Sequence, residues 1–269
     1  MALIIFLIFI FVWYFPVWRR QGQADRLPRR TIPKAIVCGA IPAFVIIIVL
    51  QVLFGFVRRA LPVSERVSQA LEAYIGAALV EECVKFFTAY LIIRRIEPKR
   101  KVDYVLIFGA VGMGYELTES IIQLDSVLTG IMRGVFSLHI IWQFWMGMFF
   151  WEYRQAKQRG DRRGKCVNFI LAFAVPILLH GTNDFLAFVN SDLLTKNTDA
   201  ILNADIGNLS PEAEMVGEWF FALLVFVIIQ TIFQFVTFGM ALKTAKQSRQ
   251  ADEEARAEAE AEIQAAAEE

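Results

Sequence analysis

Residues 76–87 read GAALVEECVKFF, and this segment decides how the chain must fold. It is an apolar run that carries three ionisable side chains in five residues, Glu81, Glu82 and Lys85. An isolated charge at the centre of a membrane helix costs about 2.5–3.5 kcal/mol on insertion scales. We therefore predict that these charges pair with one another, or with polar groups of other helices, inside a helix bundle.

The composition is that of a polytopic membrane protein. Of the 269 residues, 57% are hydrophobic, 20% are charged and 24 are phenylalanine. The formal net charge is zero, so bulk charge gives no indication of a nucleic-acid partner. The three cysteines do not form the even, regularly spaced set that a disulfide framework requires.

Hydropathy predicts an all-α transmembrane bundle of about seven spans. The expected spans are residues 2–18, 35–57, 69–93, 102–124, 134–152, 167–189 and 217–241. We expect one transmembrane domain, residues 1–245, whose motif-bearing core covers residues 70–190. An Ala/Glu-rich cytoplasmic tail, residues 246–269, follows it.

The basic residues predict the orientation of the bundle. The first, third and fifth loops and the tail carry 6, 5, 6 and 4 Lys and Arg residues, whereas the three opposite loops carry 3, 1 and 1. Basic residues accumulate in cytoplasmic loops. The N-terminus is therefore expected outside the membrane and the C-terminus in the cytoplasm.

Both histidines of the chain, His139 and His180, fall inside predicted spans. Helical spacing also brings polar groups onto common faces, because residues four apart are neighbours on a helix. The pairs of this kind are Glu81 with Lys85, Tyr115 with Glu119, His139 with Gln143, and His180 with Asp184. We expect these groups to form one cluster inside the membrane.

Three chemistries suit such a cluster. Carboxylates and imidazoles in a shielded cavity can activate a water and polarise a carbonyl. The same groups can ligate zinc, and they can relay protons in a transporter or channel. The residues alone leave a hydrolase, a proton- or ion-coupled transporter or channel, and an inactive membrane scaffold as alternatives.

Four motifs resemble those of the PrsW-type intramembrane proteases, a branch of the group that contains the CAAX prenyl endoproteases. Glu81-Glu82-Cys-Val-Lys85 is similar to the family's EExxK motif, and the segment from Tyr115 to Glu119 is similar to FxxxE. The third and fourth matches are Arg133…His139…Gly147 and His180-Gly-Thr-Asn-Asp184, the latter an HxxxD motif. Two departures are Tyr115, where the family usually has Phe, and Glu116, where a small residue is usual.

The resemblance implies hydrolysis of peptide bonds in membrane-anchored proteins, anti-sigma factors among them. Glu81, together with Glu119, would activate the attacking water, with Glu82 as the second choice of base. His180 and Asp184 would stabilise the oxyanion, and His139 would orient water, hold a metal or protonate the leaving amine. Lys85 and Arg133 would neutralise the carboxylates.

The resemblance leaves the role of a metal open, since the family is called metalloproteases whereas the CAAX branch resembles a metal-free glutamate enzyme. We favour the glutamate mechanism, and zinc could bind through Glu81, Glu119, His139 and His180. The implied partners are the lipid bilayer and a membrane-anchored protein substrate, with no nucleic acid. The implied location is a bacterial or archaeal cell membrane.

Overall fold

A computed structural model of the chain describes residues 2–22, 27–123, 135–198, 202 and 210–268. Every regular element within these ranges is helical, which confirms the predicted all-α class. The helices are α1 (Ala2–Arg20), α2 (Thr31–Cys38), α3 (Phe44–Arg59), α4 (Glu65–Leu71), α5 (Val80–Ile96), α6 (Lys101–Gln123), α7 (Leu138–Gln158), α8 (Arg162–Lys196) and α9 (Pro211–Glu268). Two π-helical segments, Gly39–Ala43 and Glu72–Leu79, join α2 to α3 and α4 to α5.

Four helical stretches in the described ranges are long and apolar enough to cross a membrane. They are Thr31–Arg59, Lys101–Ile122, Arg162–Lys196 and Pro211–Ala266. The expected count of about seven spans is therefore not confirmed. The remaining three expected spans fall on α1, on the stretch from α4 to α5, and on α7. Charged side chains in α5 and α7 lower the mean hydropathy of those two helices.

Capping residues define several helix boundaries. Ser64 caps α4, and its hydroxyl accepts a hydrogen bond from the Val67 backbone N–H. After α7, Gly160 adopts a positive φ of 72° and ends the helix. Glycine adopts this conformation without steric strain because it has no Cβ. Asp161 then accepts a hydrogen bond from the Gly164 N–H at 2.9 Å and begins α8.

The described chain separates into two compact units. The first unit comprises Met1–Val45, Val84–Phe173 and Gln234–Glu269. Its most buried element is α6, which packs against α7 with glycines at the contact. A Cβ added to Gly109 would lie 2.1 Å from the Phe144 ring, and one added to Gly112 would lie 2.5 Å from the carbonyl oxygen of His139. Small residues such as glycine let the backbones of two membrane helices come close together.

The second unit comprises Ile46–Cys83 and Ala174–Phe233. It contains most of α3, all of α4, the first residues of α5, the second half of α8 and the first part of α9. Val189, Leu193 and Val216 form a buried apolar cluster here, with Phe185 and Trp219 packed against it. This cluster fixes α8 against the start of α9.

Candidate active site

Three carboxylates surround the imidazole of His180 in the second unit. Nδ1 lies 3.0 Å from a carboxylate oxygen of Glu82. Nε2 lies 3.3 Å from Asp184 and 3.8 Å from Glu81. Glu82 is fully buried, and His180 and Glu81 are nearly so. We call these four residues the His180 cluster.

Helix geometry explains how two consecutive glutamates reach one ring. Neighbouring residues on a helix point about 100° apart. Glu81 and Glu82 therefore approach the imidazole from two sides, and each carboxylate faces a different ring nitrogen. Asp184 lies one turn after His180 on α8, as the four-residue spacing predicts. The helix continues through Pro176.

Further polar groups support the His180 cluster and are not part of the four motifs. The side-chain amide of Gln51 donates a hydrogen bond to Glu81 at 3.1 Å. Tyr74 lies against Gly181, where an added Cβ would be 2.3 Å from its ring, and its hydroxyl is 2.7 Å from that of Thr182. Sequence reasoning missed these contacts. One signal was available: Gln51 is the only polar residue between Phe44 and Val57.

In the first unit, His139 lies between a buried lysine and a glutamate. Its Nδ1 is 2.8 Å from Nζ of Lys85, and its Nε2 is 2.8 Å from a carboxylate oxygen of Glu119. Lys85 is fully buried, and its ammonium group lies 4.0 Å from the centroid of the Tyr115 ring. We call Lys85, Glu119 and His139 the His139 cluster.

The partners of His139 determine its protonation pattern. An ammonium group can only donate a hydrogen bond, so Nδ1 accepts from Lys85. In the tautomer that fits this contact, Nε2 carries the ring N–H and donates a hydrogen bond to Glu119. Both ring nitrogens are thus engaged, and a metal could reach His139 only if Lys85 or Glu119 moved away.

Glu116, the unexpected carboxylate of the second motif, contacts the first turn of α7. One of its oxygens accepts a hydrogen bond from the backbone N–H of His139 at 3.3 Å. The hydroxyl of Ser120 lies 3.5 Å from the other oxygen. The first N–H groups of a helix have no partner within the helix, and a negative charge there is favourable. Glu116 therefore acts as a buried cap of α7.

The described residues that the sequence predicts for the active site form two groups, one in each unit. Glu81, Glu82, His180 and Asp184 lie together in the second unit, and Lys85, Glu119 and His139 lie together in the first. Arg133 lies outside the described residues.

Two distances in the His180 cluster can be compared with the separation of zinc ligands. Tetrahedral zinc, with bonds of about 2.0–2.2 Å to nitrogen and oxygen, holds its ligand atoms about 3.3 Å apart. The distances from His180 Nε2 to Asp184 and Glu81, 3.3 and 3.8 Å, are close to this value. Glu82 on Nδ1 supplies the carboxylate that commonly orients a metal-binding histidine.

Comparisons with known proteins agree with the motif assignment. A family model described as PrsW family intramembrane metalloprotease matches residues 27–204. Protease PrsW of Geobacillus kaustophilus (strain HTA426) is 32% identical over 124 residues, which are 44% of this chain and 53% of that protein. Protease PrsW of Clostridioides difficile (strain 630) is 27% identical over 183 residues, which are 64% of this chain and 73% of that protein.

The chain spans about half the length of the Geobacillus relative. No solved structure matches it. The family match extends over well more than half of the chain and includes every residue of both histidine clusters. The chain belongs to the PrsW family of intramembrane metalloproteases.

Proposed function

We propose that this protein is an intramembrane endopeptidase that hydrolyses peptide bonds of membrane-anchored proteins, a regulatory protein such as an anti-sigma factor among them. The observation that carries the proposal is the His180 cluster, in which three carboxylates from α5 and α8 surround one buried imidazole. Buried ionisable groups in apolar helices are costly, so they point to a functional site. The names of the two relatives agree with protease activity.

In the proposed reaction, Glu81 takes a proton from a water molecule as the water oxygen attacks the peptide carbonyl carbon. His180 stabilises the negative charge that develops on the carbonyl oxygen. Asp184 contributes in its protonated form, because an ionised carboxylate has no hydrogen to donate to that oxygen. The C–N bond then breaks, and the departing amine nitrogen receives the proton. Glu82 acts as a positioning residue, because its contact with Nδ1 orients the other ring nitrogen of His180 towards Glu81 and Asp184.

The residues of the His139 cluster assist the same reaction. Glu119 assists in activating water, and His139 orients that water or protonates the leaving amine. Lys85 compensates the negative charge of the glutamates, as does Arg133. The ammonium group of Lys85 lies 2.8 Å from Nδ1 of His139, and Glu119 contacts the other ring nitrogen.

Zinc is the candidate cofactor, and Glu81 and His180 are the residues of the His180 cluster that would be among its ligands. When bound, zinc would supply a Lewis acid and a bound water of lowered pKa. Glu81 then acts as a ligand and not as the base. Lipid surrounds the enzyme, and the charge pattern of the loops favours an external N-terminus and a cytoplasmic C-terminus in a bacterial or archaeal cell membrane.

The test is cleavage of a co-expressed single-span membrane protein by Glu81→Gln and His180→Ala variants. We expect both substitutions to lower cleavage by at least about a hundredfold, because each removes a group that contacts the reacting atoms. Glu65→Gln is the matched control, since Glu65 is an exposed carboxylate that pairs with Lys196. All three proteins should accumulate equally in membranes, and full cleavage by both variants would refute the proposal.

The zinc content of the same purified proteins separates the two mechanisms. Zinc bound to the wild type and lost from His180→Ala assigns Glu81 to the metal. Full activity without stoichiometric zinc assigns Glu81 as the base.

A further inference from the structure

A groove follows one face of α3 in the second unit and has a volume of about 320 Å³. Its lining residues recur every three or four positions, which is the spacing of a single helix face. They include Ile48, Gln51, Val52, Gly55, Phe56 and Arg59. The helix belongs to a stretch that is long and apolar enough to cross a membrane, so the groove lies along a membrane-spanning surface.

The inner end of the groove reaches the His180 cluster. Gln51 lines the groove, and its side-chain amide donates a hydrogen bond to Oε1 of Glu81 at 3.1 Å. The other oxygen of Glu81, Oε2, is the one that faces Nε2 of His180 at 3.8 Å. A molecule seated in the groove at Gln51 would therefore lie beside the carboxylate that we propose as the base.

The apolar residues that line the groove are exposed. Ile48, Val52 and Phe56 are 44%, 54% and 66% exposed. Gly55 lies among them, and a Cβ built on it would meet no described atom within 4 Å. Apolar exposure alone is ordinary on a membrane helix, but an open notch at glycine lets a second backbone come close.

The outer end of the groove is basic. Arg58 is paired with Glu72 at 2.5 Å, and it also donates a hydrogen bond to Ser68 at 2.6 Å. Arg59 is exposed beside this pair. An exposed arginine at the end of a membrane helix attracts an acidic group at the same membrane surface.

We propose that this groove binds the membrane-spanning segment of the substrate, with an acidic residue of that substrate paired to Arg59. The inference rests on the proposed protease function and adds how the substrate is chosen. An apolar segment with an acidic flank complements the groove in both polarity and charge. Arg59 lies about 12 Å along α3 from Gln51, since each residue of a helix rises 1.5 Å. Cleavage is therefore expected about eight residues from the acidic flank if the segment is helical, and about four if it is extended.

The first test fills the notch with Gly55→Leu. A Cβ at this position meets no described atom within 4 Å, so we expect the fold to be retained, whereas a substrate segment would be excluded. We expect kcat/KM for a single-span substrate to fall at least about tenfold, mainly through KM. Gly239→Leu is the matched control, because Gly239 lies in a spanning helix and a Cβ there also meets no described atom.

The second test exchanges charges. Arg59→Glu should impair cleavage of a substrate with an acidic flank, and a substrate with a basic residue at that position should restore it. Rescue by the exchanged substrate would show direct pairing. If Arg59→Glu lowers cleavage of both substrates equally, the groove holds lipid and the proposal is wrong.

These outcomes are distinguishable from failure of the protease assignment. Wild-type cleavage that Glu81→Gln abolishes but Gly55→Leu leaves unchanged would refute the groove and leave the enzyme assignment intact. Absence of cleavage by the wild type would refute both.

Discussion

Each of the two histidines has both ring nitrogens within reach of a charged partner. His180 lies among Glu82, Glu81 and Asp184, and His139 lies between Lys85 and Glu119. The sequence predicted buried histidines beside carboxylates, because two histidines and several acids fell in apolar runs. It ranked Glu82 behind Glu81, since helix spacing gives the direction of a side chain but not the partner that another helix brings to it.

At this scale the cap of α7 gives a testable prediction. Glu116→Ala removes the acceptor of the His139 N–H and leaves a buried donor without that bond. We expect the free energy of unfolding to fall by about 1 kcal/mol, the usual effect of losing an N-terminal cap. Thermal unfolding of the purified protein in detergent measures this as a lower midpoint.

Glu116→Gln is the control for this measurement, because it keeps an acceptor oxygen at the same place. It should restore most of the midpoint. A midpoint for Glu116→Ala equal to that of the wild type would show that Glu116 does not cap the helix.

Among the elements, α6 depends most on small residues. Gly109, Gly112 and Gly114 let this helix approach its neighbours closely. Gly114 faces the carbonyl oxygen of Ile36 and Gly112 faces that of His139. Glycines in an apolar helix indicate a close contact, but they do not identify the neighbouring helix. Pairing with α2 and α7 depends on the packing of the whole unit.

Gly112→Ala tests this contact. The added Cβ would lie 2.5 Å from the His139 carbonyl oxygen and 2.8 Å from Cγ of Gln143, so backbone must shift. Overpacking of this kind costs about 1–3 kcal/mol. We expect a lower unfolding midpoint in detergent.

Gly217→Ala provides the opposite case, because a Cβ there meets no described atom within 4 Å. Alanine favours a helix over glycine by about 1 kcal/mol, so this midpoint should rise or stay unchanged. Equal loss of stability in both variants would contradict the tight contact at Gly112.

At the scale of the whole molecule, composition was enough to predict an all-helical membrane protein. The number of spans was harder to predict, because charged side chains lower the hydropathy of the helices that carry them. α5 contains Glu81, Glu82 and Lys85 within one turn and a half, and it is not among the four described stretches that are long and apolar enough to cross a membrane. Contacts such as Gln51 with Glu81 lie 30 residues apart in sequence, and no local pattern reports them.

Cysteine labelling tests the orientation that the basic loops predict. Cys166 is free and exposed, and it follows the fifth, basic loop. A membrane-impermeant maleimide should label it in inverted vesicles and not in intact cells. Ser64→Cys in a Cys166→Ser background is the control and should show the reverse. Labelling of Cys166 from outside would overturn the predicted orientation.

The π-helical segment Glu72–Leu79 ends two residues before Glu81. A π-turn accommodates an extra residue in a helix, since its hydrogen bonds skip one more residue than those of an α-helix. Deletion of one residue there would convert the π-helical hydrogen bonds to the α-helical pattern. Glu81 and Glu82 would then keep their orientation. Loss of one residue inside α5 would instead turn everything beyond it by about 100°. A one-residue deletion in this π-helical segment can therefore be tolerated without turning Glu81 and Glu82 away from the His180 cluster.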